Sequence, residues 1–185
     1  MTFTPEQVWQ ECKSVAGTFG VDPYLIMAIN EQECEPGPAG SYDASMPRME
    51  PNFMQRYTRK LQYSSVVETL LACSWSTMQM MGESLREIRN DHGQNFFEWF
   101  FTQQQHAQQV WLIQPLSPAA VTLALDAYCV NLNWSVYWGT LWFMSKMRAA
   151  NGVVHDALQR WNGGGNPEYA DQVLNRIPKL KGQHT

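Results

Sequence analysis

Apolar positions recur along the chain at intervals of three and four, the spacing that lines up side chains on one face of an α-helix, and few alternating runs suggest strands. The punctuation is helical as well. In Thr4-Pro5-Glu6-Gln7 the threonine suits an N-cap, the proline the first helical position and the glutamine the end of a capping box, predicting a helix that runs to about Ala16. Asp22-Pro23 repeats the device and Pro36-Gly37-Pro38 ends it, predicting about three turns over 23–34. Ser117-Pro118 and Asn166-Pro167 open two more helices. Further periodic stretches fall at 52–61, 65–73, 77–90, 95–113, 118–130, 134–149 and 153–161. Residues 37–51 read as a Pro- and Gly-punctuated loop long enough to be functional. The polar run Gln103-Gln104-Gln105-His106-Ala107-Gln108-Gln109 reads as a solvated helix face. With no internal repeat and no linker, the expected architecture is one all-α domain over residues 1–185.

Composition narrows the function classes. A chain of 185 residues, 44% of them hydrophobic and 16% charged, can bury a core without metal or disulfide staples. Eight tryptophans exceed ordinary usage; indoles either fill a core or stack on sugar rings. A net charge of -4, with no basic cluster longer than Arg59-Lys60, argues against a nucleic-acid partner. No run of ~18 apolar residues predicts an integral membrane segment. The start, Met1-Thr2-Phe3-Thr4-Pro5-Glu6, has neither a basic nor an apolar leader region, so the expectation is a soluble chain with no signal peptide. Cys12, Cys34, Cys73 and Cys129 lack metal-ligand spacing and read as free thiols of a reducing compartment; no metal or cofactor is expected.

The helix ending Asn30-Glu31-Gln32-Glu33-Cys34-Glu35 carries three carboxylates. At ~100° per residue, Glu33 lies within about 40° of Ile26 and Ile29, while Glu31 and Glu35 point some 160° away. Glu33 is therefore expected on the core side, with the other two facing out. A glutamic acid against apolar groups is held protonated and can donate at neutral pH, as glycosidic-bond cleavage requires. Periodicity alone leaves open that Glu33 is only a helix-end carboxylate in a surface ion pair.

Four segments in order carry a family resemblance: Ala28-Ile29-Asn30-Glu31-Gln32-Glu33-Cys34, Ser76-Thr77-Met78-Gln79-Met80-Met81, Arg160-Trp161-Asn162-Gly163-Gly164-Gly165 and Tyr169-Ala170-Asp171-Gln172-Val173-Leu174. Together they resemble the lytic transglycosylases of the goose-type lysozyme-like superfamily, with their A-I-x-x-Q-E-S helix, G-L-M-Q-I-M turn, A-Y-N-x-G segment and later Tyr before V-L. Gly139-Thr140-Leu141-Trp142-Phe143 is similar to the family's G-x-x-Y-L helix. The likeness covers residues 22–175, with no counterpart for 83–133. It implies a lysozyme-like (soluble lytic transglycosylase-like) fold, Glu33 as the single catalytic acid/base, and substrate contacts from Ser76, Met78, Gln79, Trp161, Asn162 and Tyr169. Read without the family, Met78 and Met80 fit a core, Gln79 a helix cap and Gly163 to Gly165 a turn. The chain departs from the pattern at Cys34 for Ser, Ser76 for Gly, Thr77 for Leu and Trp161 for Tyr. Trp offers an N–H but no hydroxyl. Residues Met46 to Tyr57 also resemble the F-E-P-x-x-F-x-R-Y stretch of phage-type muramidase domains, which makes Glu50 a candidate second carboxylate beside Asp43.

The resemblance implies peptidoglycan as substrate. Glu33 would protonate the oxygen linking N-acetylmuramic acid to N-acetylglucosamine, then accept the C6 hydroxyl proton as the sugar closes to its 1,6-anhydro form. A hydrolytic muramidase would instead need a second carboxylate, from Asp43 or Glu50. A non-catalytic glycan-binding or virion structural module is the alternative from another class, motivated by the altered residues Cys34, Ser76 and Trp161. A wall substrate without a leader fits a phage protein, carried in the virion with other virion proteins or released at lysis, acting in the periplasm and cell wall.

Overall fold

The computed structural model describes residues 2–37, 40–44, 47–49, 65–106 and 117–184. It is mainly helical. The first helix, α1 (Pro5–Phe19), starts at the predicted box: the Thr4 hydroxyl accepts from Gln7 N at 3.2 Å and the Thr4 N–H donates to the Gln7 side chain at 2.9 Å. Such a cap is worth about 1 kcal/mol. The helix continues past Ala16 to Gly20, whose left-handed φ of 65° lets the chain turn away. α2 (Pro23–Glu33) begins as expected, with the Asp22 carboxylate accepting from Tyr24 N at 2.9 Å.

α2 is buried on all sides. Every residue from Leu25 to Glu31 is buried, because α1 packs on one flank and α9 (Tyr169–Leu174) and α10 (Ile177–Gln183) on others. The expectation that Glu31 faces out is therefore corrected: it is 8% exposed, accepts from the Tyr42 hydroxyl at 3.3 Å and lies 3.8 Å from Arg176 Nη1. A helix enclosed by several neighbours buries more than one face, so its polar side need not meet solvent. Glu35 is exposed, as expected.

After α2 the chain returns to its start, β2 (Tyr42–Asp43) pairing antiparallel with β1 (Thr2–Phe3). β3 (Arg48–Met49), β4 (Cys73–Trp75) and β5 (Met80–Met81) form a three-stranded antiparallel sheet in that order, with Arg48, Ser74 and Met81 aligned across it. Between β3 and β4 lies α3 (Ser65–Leu71). The helix expected over 77–90 is thus corrected to a hairpin turn, strand β5 and a short α4 (Gly82–Glu87). Strands of two or three residues are too short to display alternation, so the pattern concealed them. The stretch expected at 52–61, and Glu50 with it, lies outside the described residues.

α5 (Phe96–His106), α6 (Pro118–Val130), α7 (Leu132–Ala149) and α8 (Val154–Trp161) complete the chain before α9. α6 begins at the predicted Ser117 cap, and α9 starts two residues beyond the Asn166-Pro167 signal. α7 packs on α1, α6 and α8, and meets the β4–β5 turn at Gly139. A Cβ at Gly139 would lie 2.8 to 2.9 Å from three Met78 side-chain atoms, so only glycine lets the turn approach this closely. The buried apolar side chains of α1, α2, the sheet and α5 to α10 form one cluster, in which Phe96, Tyr128, Trp134 and Trp138 pack edge to face. Cys12, Cys73 and Cys129 are buried and Cys34 half-buried. Among the described residues no helix is long and apolar enough to cross a membrane.

Candidate active site

Glu33 is the last residue of α2, where the helix emerges from the core into the wall of a groove. The neighbouring chain closes around one of its oxygens. Trp161, at the end of α8, donates its indole N–H to Glu33 Oε1 at 2.8 Å, and the Tyr169 hydroxyl, from the start of α9, donates to the same oxygen at 2.5 Å. Tyr169 is only 4% exposed. Its hydroxyl is held protonated well above the ordinary tyrosine range, by burial first and then by the adjacent Glu33 carboxylate, so it stays a donor at any physiological pH. Trp161, which has no hydroxyl, thus serves Glu33 as a donor through its ring N–H.

Around these donors lies a second layer that orients α2 and α9. Gln32 donates to Gln172 Oε1 at 3.1 Å, Asn166 donates to the same atom at 3.0 Å, and Arg176 Nε donates to Gln32 Oε1 at 3.0 Å. The buried Glu31 faces Arg176 as well, so Arg176 ties two consecutive residues of α2 to the start of α10.

The groove is about 460 Å³ in volume, within the range of sites that enclose a small ligand. The sheet forms one wall with Arg48, Ser74, Met80 and Met81; α4 contributes Ser84 and Glu87; α7 contributes Trp142 and Lys146; α8 and the loop after it contribute Arg160, Trp161 and Asn162. Trp142 and Lys146 sit one turn apart on α7, the ammonium 3.6 Å from the indole ring centroid. Gln79 lines the groove with its amide fixed at both ends: Oε1 accepts from Ser74 Oγ at 2.8 Å, and Nε2 donates to the Ser76 carbonyl at 2.7 Å. One further Nε2 hydrogen remains to the amide. Asn162 also lines it while bracing the loop, donating to the Asn166 carbonyl at 3.2 Å.

The structure brings Glu33, Gln79, Trp161 and Asn162 to one groove, with Tyr169 behind Glu33. Ser76 and Met78 are not on its surface, and their expected substrate contacts are corrected. Both are fully buried. Met78 plugs the space between α2 and α7, accepting at its sulfur from Asn30 Nδ2 at 2.7 Å and packing on Gly139. Ser76 holds the hairpin turn at a left-handed φ of 62°, a conformation glycine adopts without steric cost. Asp43 is exposed on β2 and is not among the groove-lining residues; its carbonyl accepts from Cys34 Sγ at 3.6 Å. Glu87 is the carboxylate that sequence reasoning missed, because residues 83–133 matched no motif and its place in the groove depends on the sheet that aims α4. Among the described residues, no group of three or more His, Cys, Asp and Glu side chains could hold a metal ion.

Set against this geometry, comparison of the chain with protein-family models, with curated proteins and with solved structures gave no match.

Proposed function

We propose that the chain cleaves the glycan of bacterial peptidoglycan, as a lytic transglycosylase of lysozyme-like fold with Glu33 as its single acid/base. The observation that carries the reading is the convergence of Trp161 Nε1 and Tyr169 Oη on one oxygen of a groove-wall glutamate. Two neutral donors from two separate elements hold this oxygen in place. Because Oε1 accepts from both, Oε2 is the oxygen assigned to proton transfer in this reading, and the two donors orient the carboxyl group before substrate arrives.

The reaction then follows in two proton transfers. Oε2 gives its proton to the oxygen joining C1 of N-acetylmuramic acid to C4 of N-acetylglucosamine, the C1–O bond breaks, and positive charge develops at C1. The C6 oxygen of the same muramyl ring bonds to C1 while its proton passes to the Glu33 carboxylate. No water is consumed and the acid is regenerated, so one carboxylate suffices. Trp142 offers an indole face for a sugar ring, and the Gln79 and Asn162 amides offer hydrogen bonds to its acetamido and hydroxyl groups.

Mass spectrometry of isolated peptidoglycan digested with wild type and Glu33→Gln is the test. Release of 1,6-anhydro-muramyl ends by the wild type, reduced about 10²–10⁴-fold by Glu33→Gln, is expected. No release by the wild type, or undiminished release by the variant, overturns the assignment. Hydrolysis is a second reading, favoured by one observation: Glu87 lines the same groove as Glu33 and could activate water. Reducing muramic-acid ends that disappear in Glu87→Gln would establish it instead.

A further inference from the structure

We infer that Lys146 and Arg160 form a carboxylate-binding subsite beside the cleavage groove, taking an acidic group carried on the 3-O substituent of the muramyl sugar. The inference rests on the reading of the groove as a peptidoglycan site.

Three observations carry it. First, Lys146 and Arg160 line both the groove and a second, more open depression, and Gly163 lines both as well, so the two spaces adjoin there. Gly163 and Gly164 have left-handed φ values of 67° and 78° and no atom within 4 Å of where a Cβ would stand, so the junction is open. A substituent on a sugar lying near Glu33 can cross it.

Second, the depression collects positive charge on a chain whose net charge is -4. Its lining holds Lys146 and Arg160 against one carboxylate, Asp156. Asp156 has another cationic neighbour when His155 is protonated, at 3.8 Å. Glu87 faces Lys146 from the groove side.

Third, neither cation is used by the fold in an ion pair among the described residues. Lys146 rests on the Trp142 ring, half-buried, and its proton affinity is lowered by burial and by the nearby Arg160, with Glu87 opposing. Two neighbouring cations, neither in an ion pair among the described residues, leave a position at which a carboxylate would relieve their repulsion and accept their hydrogen bonds. Arg160 also stands where the resembling family has alanine, so the subsite is a property of this chain and not of the motif.

Two carboxylates of peptidoglycan share this chemistry: those of the stem peptide, and the lactyl carboxylate exposed when the peptide has been removed. The experiment measures kcat and KM on three soluble glycans: strands with stem peptides, strands stripped of peptides by an amidase, and stripped strands whose carboxylates have been converted to neutral methylamides. Wild type should prefer carboxylate-bearing strands over neutralised ones by about tenfold in kcat/KM, mainly through KM. The double variant Lys146→Met/Arg160→Met should bring that ratio close to one. A preference for peptide-bearing strands alone assigns the stem peptide, and a preference shared by stripped strands assigns the lactyl group. A ratio near one in wild type, or an unchanged ratio in the double variant, overturns the subsite. Should the double variant fail to fold, Arg160→Gln at its exposed position carries the same comparison, with Arg160→Lys expected to restore part of the preference. Calorimetric binding of the same strands to Glu33→Gln separates the two claims. Carboxylate-dependent binding without any cleavage by wild type defeats only the catalytic reading; cleavage without carboxylate preference defeats only the subsite; the loss of both defeats both.

Discussion

Trp161 and Tyr169 donate to the same oxygen of Glu33, at 2.8 and 2.5 Å. Two donors sharing one acceptor fix its position jointly, so their removal should not be additive. Tyr169→Phe and Trp161→Phe are each expected to lower kcat on peptidoglycan about 10- to 100-fold with little change in KM, and the double variant to fall far short of the product of the two losses. A double-mutant cycle on initial rates measures this. Strictly multiplicative losses would show that the two residues do not act through Glu33.

Arg176 acts one step further out, by holding Gln32 and facing the buried Glu31. Arg176→Met takes the cation away from the buried Glu31 carboxylate and leaves the Tyr42 hydroxyl donating to it. The expected cost is about 2 kcal/mol of stability, read from urea denaturation, since hydrogen bonds to charged groups are worth more than neutral ones. Adding Glu31→Gln should recover part of that loss, because the uncompensated charge is then gone. No recovery would mean that Arg176 contributes through packing alone.

The helical framework was readable because its signals are local. Thr4, Asp22 and Ser117 are caps identifiable within four residues, and each caps its helix in the structure. Glu33 was separable from Glu35 by simple rotation about α2. Glu31 was not, since its burial depends on α9 and α10, which arrive more than a hundred residues later in the chain. The hairpin over 73–81 escaped because strands of two and three residues have no period to detect. Met78 shows the same limit from another side: a motif marks that a residue matters without saying whether it touches ligand or plugs the core beneath it. Glu87 and Lys146 enter the groove through the packing of α4 and α7, which no single segment announces.

Ser76 is held at φ 62°, and its buried hydroxyl has no hydrogen-bond partner among the described residues. Both features cost free energy: the left-handed conformation about 1–2 kcal/mol for a residue with a Cβ, and the unpaired hydroxyl a comparable amount. Glycine would remove both at the price of a more flexible unfolded chain. Ser76→Gly is therefore expected to raise stability by about 1 kcal/mol, seen as an increase in Tm of a few degrees for a domain of this size. A lower Tm would show that the Ser76 side chain is favourable to the turn in a way these two costs do not capture.

Cys129 links stability to alkaline pH. Burial, with a smaller contribution from Asp126, raises its thiol from 9.0 to about 11, while a hydrogen bond with the Ser76 backbone opposes the shift. The unfolded chain releases this proton first, so above pH 9 it binds fewer protons than the folded one and stability falls as pH rises toward 11. Below pH 9 the contribution is fully present. Cys12, also pushed upward by burial, adds to the fall from the same starting pH, and Tyr42, Tyr128 and Tyr169 extend it above 10. Tm measured from pH 7 to 11 should decline slowly at first and then steeply, and Cys129→Ala should flatten the part between 9 and 11 whatever its effect on Tm at pH 7. Curves for wild type and variant that run parallel across that window would rule out Cys129 as a source of the pH dependence.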